Sequence, residues 1–147
     1  MTIEVYSFQF NGFQENTFIV TDQQKNCVII DPGCYDKHEE EELFDFVESH
    51  QLKPIALLNT HAHIDHILGN YAVKNKYDIP FYLFKDEVPT LNAVATYAAM
   101  YGFEAYKISP EPDVFLEHNS VISFGDINFK VFHTPGHSIG HVVFYNE

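Results

Sequence analysis

The sequence contains no arginine: its 8 basic residues are all lysines, set against 21 acids for a formal net charge of -13. A chain this acidic is excluded as a nucleic-acid binder, because a phosphate backbone requires a basic face. The missing guanidinium also removes the bidentate clamp that many sites use on phosphates and carboxylates. Only lysine, backbone amides or a metal remain to hold an anionic substrate. Cysteine is scarce as well, and Cys27 and Cys34 alone cannot build a disulfide framework. Cys27, inside an apolar run, reads as a small buried hydrophobe; Cys34, after a turn, reads the same way, with a reactive thiol as the alternative. No stretch is long and apolar enough to span a bilayer, and the N-terminus lacks a basic-then-apolar signal pattern. The expectation is a cytoplasmic protein without a membrane partner. Repeats, low-complexity tracts and Gly/Ser-rich linkers are also missing, so residues 1–147 read as one domain, and 46% hydrophobic content is enough to bury a core.

What is present alternates strand and turn at first. Ile3 to Phe10, Thr17 to Thr21 and Cys27 to Ile30 read as a β-meander closed by Asp31-Pro32-Gly33. Leu43, Phe46 and Val47 recur at helical spacing between Asp36 and His50, and Glu39 to Glu42 read as a solvated first turn that suits the helix dipole. Pro54 to Asn59 is a short apolar strand, Ile67 to Tyr77 a helix, Phe81 to Phe84 a strand and Asp86 to Tyr101 a helix. Gly102 to Asn119 reads as irregular. The hairpin Ser120 to Phe124 and Ile127 to Phe132, turning at Gly125-Asp126, and the strand His141 to Tyr145 complete the pattern. Strand, loop and helix in succession is βα architecture, in which functional groups gather beyond the carboxyl ends of strands.

The chemistry concentrates in Asn59-Thr60-His61-Ala62-His63-Ile64-Asp65-His66 and in His133-Thr134-Pro135-Gly136-His137. Borderline imidazole nitrogens with one hard carboxylate oxygen form the donor set that a divalent transition metal prefers. An isolated HxH is weak, since a lone histidine is usually a surface or hydrogen-bonded core residue. HxHxDH directly after an apolar strand, joined by a later TPGHSxGH turn, is specific. His61 and His63 require a loop that bends both rings toward one point, and Asp65 and His66 sit where a helix begins, whose free amides favour an anion nearby. His38, His50 and His118 fall outside the pattern, and Ser138 and His141 read as supports of the turn. Tyr97, Tyr101, Phe103 and Tyr106 could line a pocket, but their helical spacing favours core.

Through Glu15-Asn16-Thr17-Phe18, Ile30-Asp31-Pro32-Gly33, Thr60 to His66 with Gly69 and Asn70, and Thr134 to His141, the chain resembles the metallo-β-lactamase-fold hydrolases, in particular the glyoxalase II-like (hydroxyacylglutathione hydrolase-like) branch. The resemblance implies an α/β (α+β) fold, the αββα sandwich, here incomplete at the C-terminus. It also implies that His61, His63 and His137 hold one metal and that Asp65 and His66 hold a second. Asp31 is implied to stand behind a ligand and orient it, with a plain Asp-Pro turn as the equal alternative. The family completes its second site with a bridging aspartate and a further histidine beyond the point where this sequence ends, so the expectation is an N-terminal portion of a longer protein.

The activity implied is hydrolysis of a small-molecule thioester by a metal-bound hydroxide, with two zinc ions in the complete site, iron or manganese remaining open, and Asp65 helping to aim the nucleophile. A persulfide dioxygenase-like iron oxidoreductase is the second reading. The third is an incomplete, non-catalytic metal-binding module that self-associates through an uncovered sheet face. Flavodiiron-type chemistry is disfavoured, because a carboxylate is expected where His63 stands.

Overall fold

In the computed structural model, which describes residues 2–147, the chain begins with the meander β1 (Glu4–Phe10), β2 (Glu15–Thr21) and β3 (Asn26–Ile30), paired antiparallel in order. Pairing then becomes parallel. Helix α1 (Lys37–Ser49) returns the chain to β4 (Lys53–Leu58) beside β3; α2 (Ile64–Ile67) and α3 (Asn70–Tyr77) lead to β5 (Phe81–Phe84); α4 (Val88–Tyr97) leads to β6 (Val114–Leu116). The six strands lie in sequence order across one sheet. A second, antiparallel sheet holds β7 (Val121–Phe124), β8 (Ile127–His133) and β9 (Val142–Tyr145).

The central strands explain the layering. Cys27, Ile29 and Leu57 face one core, which they share with Leu43 and Val47 of α1, Ile67 of α2, Val73 of α3 and Leu91 and Val94 of α4. Val28, Ile30, Ala56 and Leu58 face the other, against Phe124, Ile127 and Phe129 of the second sheet. A strand buried on both faces needs an unbroken apolar run, and β3 and β4 have one. The layers are therefore helices, six-stranded sheet, three-stranded sheet, which is the αββα arrangement without a helical layer over β7–β9 among the described residues. On that outer face Val121, Val143 and Tyr145 stay exposed.

Four details depart from the sequence reading. The helix expected from Ile67 to Tyr77 is broken: α2 is a single turn, and α3 starts only at Asn70. Gly69 causes the break, donating its N–H to the Pro32 carbonyl at 2.8 Å so closely that a Cβ there would overlap Cys34 Sγ. The helix expected from Asp86 to Tyr101 is α-helical only from Val88 to Tyr97, with 3-10 turns on both sides. Strand β6 lies within the stretch read as irregular, because its three residues take their strand character from β5 and not from any local pattern. The glutamate run is also more than a solvated helix start: Glu39 accepts from the backbone N–H of Asn11 at 2.6 Å and of Tyr35 at 3.0 Å, tying the β1–β2 turn to α1.

Parallel strands end at the same edge of the sheet. Asp31 follows β3, the stretch from Asn59 to His66 follows β4, and Lys85–Glu87 follows β5. The Val142 N–H donates to the Thr60 carbonyl at 2.9 Å, which brings the second sheet to that edge and with it the turn between β8 and β9.

Candidate metal centre

His61, His63 and His137 converge, each offering a ring nitrogen within 4.8 Å of the other two, although 74 residues separate His63 from His137. His63 Nδ1 lies 3.1 Å from His137 Nε2. Two donor nitrogens bound tetrahedrally to one ion at about 2.0–2.1 Å stand ~3.3 Å apart, so the observed spacing fits shared ligation. His61 lies under the other two rings, its centroid 4.8 Å from that of His63 and 4.9 Å from that of His137. It is the buried member of the set; His63 is half-buried and His137 exposed.

The tautomer of His61 follows from its neighbours. Thr60 Oγ1 is 2.6 Å from Asp31 Oδ2 and 2.9 Å from His61 Nδ1. The hydroxyl has one proton, and the carboxylate can only accept, so Thr60 donates to Asp31 and accepts from His61 Nδ1–H. Nε2 is thereby left with a lone pair, and it is buried with no hydrogen-bond partner. A buried nitrogen without a partner is costly unless something else binds it, and a metal ion is what its two neighbouring imidazoles select. Burial, with the charges of His66, His63, His141 and His137 adding to it, drives the His61 pKa down to about 2. His63 is lowered by burial and then by His137, against the opposing charges of Glu87 and Asp65. Both rings are thus held in the neutral form that ligation needs.

His66 sits in a different field. Asp31 Oδ2 is 3.1 Å from its Nδ1, Glu15 Oε1 3.6 Å from the same nitrogen, and Asp65 Oδ2 3.3 Å from its Nε2. Burial pushes its pKa down, but the hydrogen bond and charge of Asp31, with Asp65, outweigh that and raise it. Three carboxyl groups thus surround one imidazole, oxygen and nitrogen donors of the kind a second cation takes. Asp31, His61 and His66 also form a donor set of their own, with ligand atoms within 4.8 Å. Asp31 does more than form a turn: it is buried, takes φ 52°, and accepts at Oδ1 from Thr60 N–H at 2.7 Å and Asn59 Nδ2 at 3.2 Å.

The positive helix terminus expected at Asp65 and His66 shrinks to the one turn of α2. His141 comes within 5.1 Å of the His61 ring, yet its Nδ1 is 2.9 Å from Thr134 Oγ1 and its carbonyl accepts from Thr134 N–H, so it closes the turn as expected. His50 stacks on Phe46 and His118 accepts from His133 N–H, both away from the cluster. Cys34 and Cys27 are fully buried, and burial raises both thiols, Cys27 to about 12, so neither is a reactive thiolate. Phe103 is buried, Tyr97 and Tyr106 pack against the core, and Tyr101 is exposed.

Glu15 and Glu87 were not foreseen as part of the site. Glu15 belongs to a motif quoted for the family resemblance, but its burial beside His66 depends on β-pairing. Its pKa rises to about 10, through burial first and the Asp31 charge second. Glu87 follows Lys85 and Asp86 in what looks like an exposed charged turn, and nothing local marks it as buried.

The family model of the metallo-beta-lactamase superfamily matches residues 10–147. A probable metallo-hydrolase of Bacillus subtilis, YqgX, is 33% identical over 129 residues, covering 87% of this chain and 58% of that protein. Hydroxyacylglutathione hydrolase GloC of Haemophilus influenzae is 28% identical over 151 residues, covering 98% of this chain and 66% of that protein. Among solved structures, the BLEG-1 B3 metallo-beta-lactamase superposes with a TM-score of 0.83 at 33% identity, and TTHA1623 in a di-iron-bound form with 0.81 at 34%. The matches cover 97% and 95% of this chain but 66% of each of those two. The chain spans between 41% and 66% of the length of curated relatives it matches, 58% in the case of YqgX.

Proposed function

Because this chain belongs to the metallo-β-lactamase superfamily, we propose that it carries the histidine cluster of a metal-dependent thioester hydrolase. His61, His63 and His137 hold the first ion, and Asp65 and His66 serve a second. The observation that carries the reading is the buried, partnerless Nε2 of His61 facing two further imidazoles. Bound there, a divalent metal supplies Lewis acidity, polarising an acyl carbonyl and lowering the pKa of water.

The chain's own residues prepare that chemistry. Asp31, through Thr60, keeps the proton of His61 on Nδ1. Asp65 presents a carboxylate beside His66 that orients the attacking water and takes up its proton. Burial and mutual repulsion keep His61 and His63 uncharged at neutral pH. No serine or cysteine nucleophile is needed, in keeping with two inert thiols.

The thioester class is supported by the hydroxyacylglutathione hydrolases among the relatives. Without arginine the chain offers no guanidinium clamp for the carboxylates of glutathione, so the proposal names the thioester and not its thiol half. Zinc suits imidazole and carboxylate donors, and the di-iron form of TTHA1623 makes iron the second choice. Metal quantification and hydrolysis of a hydroxyacyl thioester, before and after His61→Ala, test the reading. Loss of bound metal and of thiol release together is the expected outcome; a metal count and rate unchanged by the substitution would refute it. Iron as the bound metal, with oxygen consumption on a persulfide and no thioester cleavage, would transfer the assignment to the oxidoreductase.

A further inference from the structure

One buried carboxylate outside the histidine motifs touches both loops that carry them. Glu87, in the 3-10 turn after β5, is 0% exposed. Its Oε1 accepts from the Ala62 N–H at 2.8 Å and from the Ser138 hydroxyl at 2.5 Å, and its Oε2 accepts from the Gly140 N–H at 2.8 Å. Ala62 stands between His61 and His63, Ser138 directly follows His137, and Gly140 precedes His141. Two of the three donors, Ala62 and Ser138, therefore directly neighbour a cluster histidine, and the third, Gly140, lies three residues after His137 in the same turn. Among the described residues, no ion pair includes Glu87. A charge buried without a counter-ion depends on its hydrogen bonds, and here the two separate loops supply all of them. The approach is tight: a Cβ at Gly140 would stand 2.8 Å from the Glu87 backbone nitrogen.

We propose that Glu87 is a positioning residue, a clasp that sets the His61–His63 loop against the His137 turn and so fixes the spacing of the three imidazoles. The Val142–Thr60 backbone bond pins the loops outside the histidines, before His61 in one and after His137 in the other, whereas Glu87 acts between and beside them. The effect on metal binding rests on the metal-centre reading; the clasp itself rests on the hydrogen bonds.

The test uses Glu87→Gln and Ser138→Ala in the full chain, with two readouts. The first is amide hydrogen exchange in the metal-free protein. A glutamine retains one acceptor oxygen but turns an amide N–H toward the backbone donor on its other side, so protection at Ala62 or Gly140 is expected to fall about tenfold or more. Amides of Val28 and Leu57 in the central strands serve as the unchanged reference. The second readout is Co(II) affinity and the visible spectrum of the Co(II) form, which report ligand geometry directly. A loss of about 10–100-fold in affinity with an altered spectrum is expected for Glu87→Gln, and a smaller change of the same sign for Ser138→Ala. Protection within twofold of the unsubstituted chain in both variants would overturn the clasp. Loosened amides with an unchanged Co(II) spectrum and affinity would overturn the positioning role. Should Glu87→Gln fail to fold, Ser138→Ala decides by the same criteria. Failure of the unsubstituted chain to take up Co(II) would sink the metal-centre reading, and the clasp would then stand or fall on amide protection.

Discussion

The hydroxyl of Thr60 has one proton and two neighbours placed to compete for it, and the outcome settles which nitrogen of His61 is free. Thr60→Val keeps the shape and removes the relay from Asp31 to Nδ1. The substitution is expected to weaken Zn(II) binding by about 10–100-fold in a chelator competition, with a loss of about 1–3 kcal/mol in the stability of the metal-free chain from the buried groups it leaves unpaired. Affinity equal to that of the unsubstituted protein would mean that the tautomer is fixed by something else. Acid acts at the same scale. In the fold, His61, His63 and His141 all have lowered pKa values, led by burial in each case, so the unfolded chain binds more protons below the ordinary value of 6.5. Their stabilisation is present above that value and is lost as pH falls. Two groups act in the opposite direction, because their folded pKa values are raised. His66 stabilises below 6.5 and loses that effect as pH rises, and Glu15 does so from 4.5 up to about 10. Between pH 5 and 6.5 His66 is protonated in both states and drops out, Glu15 opposes His61, and the lowered His63 and His141 set the direction. The urea midpoint of the metal-free chain is therefore expected to drop from pH 7 to pH 5; a rise would contradict the assignment.

At the scale of the element, Cys27 to Ile30 of β3 and Ala56 to Leu58 of β4 are the positions least tolerant of change, because each of these side chains is buried whichever face it points to. Ile29 is 0% exposed, and Ile29→Ala is expected to destabilise by about 2–5 kcal/mol in denaturant unfolding. Gly69→Ala is expected to destabilise too, by about 1–3 kcal/mol, since its methyl would press on Cys34 and Pro32. A neutral result at Gly69 would show that α2 and α3 can shift apart freely. The same elements show how far the sequence could be read. Continuous apolar runs revealed β3 and β4, helical spacing revealed α1, and the Gly125-Asp126 turn revealed the β7–β8 hairpin. The clustering of His61 and His63 was legible because their spacing follows a strand end directly. The break at Gly69 was not, since it depends on Pro32 and Cys34, more than 30 residues away. Strand β6 exists through its partner β5, and the burial of Glu87 arises where two distant loops meet it, so neither left a local signal.

For the whole molecule, the two sheets are joined at the site by the Val142–Thr60 backbone bond, the buried Glu87 carboxylate and the His63–His137 contact, while the net charge of -13 favours expansion. A cation bound at the shared edge would offset part of that repulsion and hold both sheets. Ligand present at ~1,000 times its Kd stabilises a fold by about 4 kcal/mol, which for a chain of this size is on the order of 10 °C in Tm. Removal of metal by a chelator is expected to lower Tm by that amount. An unchanged Tm would show that the site does not bridge the layers.

The convergence of two remote stretches on one ion is tested most directly by following the imidazole nitrogens in a ¹⁵N-histidine NMR titration with Zn(II). The signals of His61, His63 and His137 are predicted to shift together and to reach their end point at the same metal ratio, with His38, His50 and His118 unmoved. A His137 signal that stays in place while His61 and His63 respond would contradict the account.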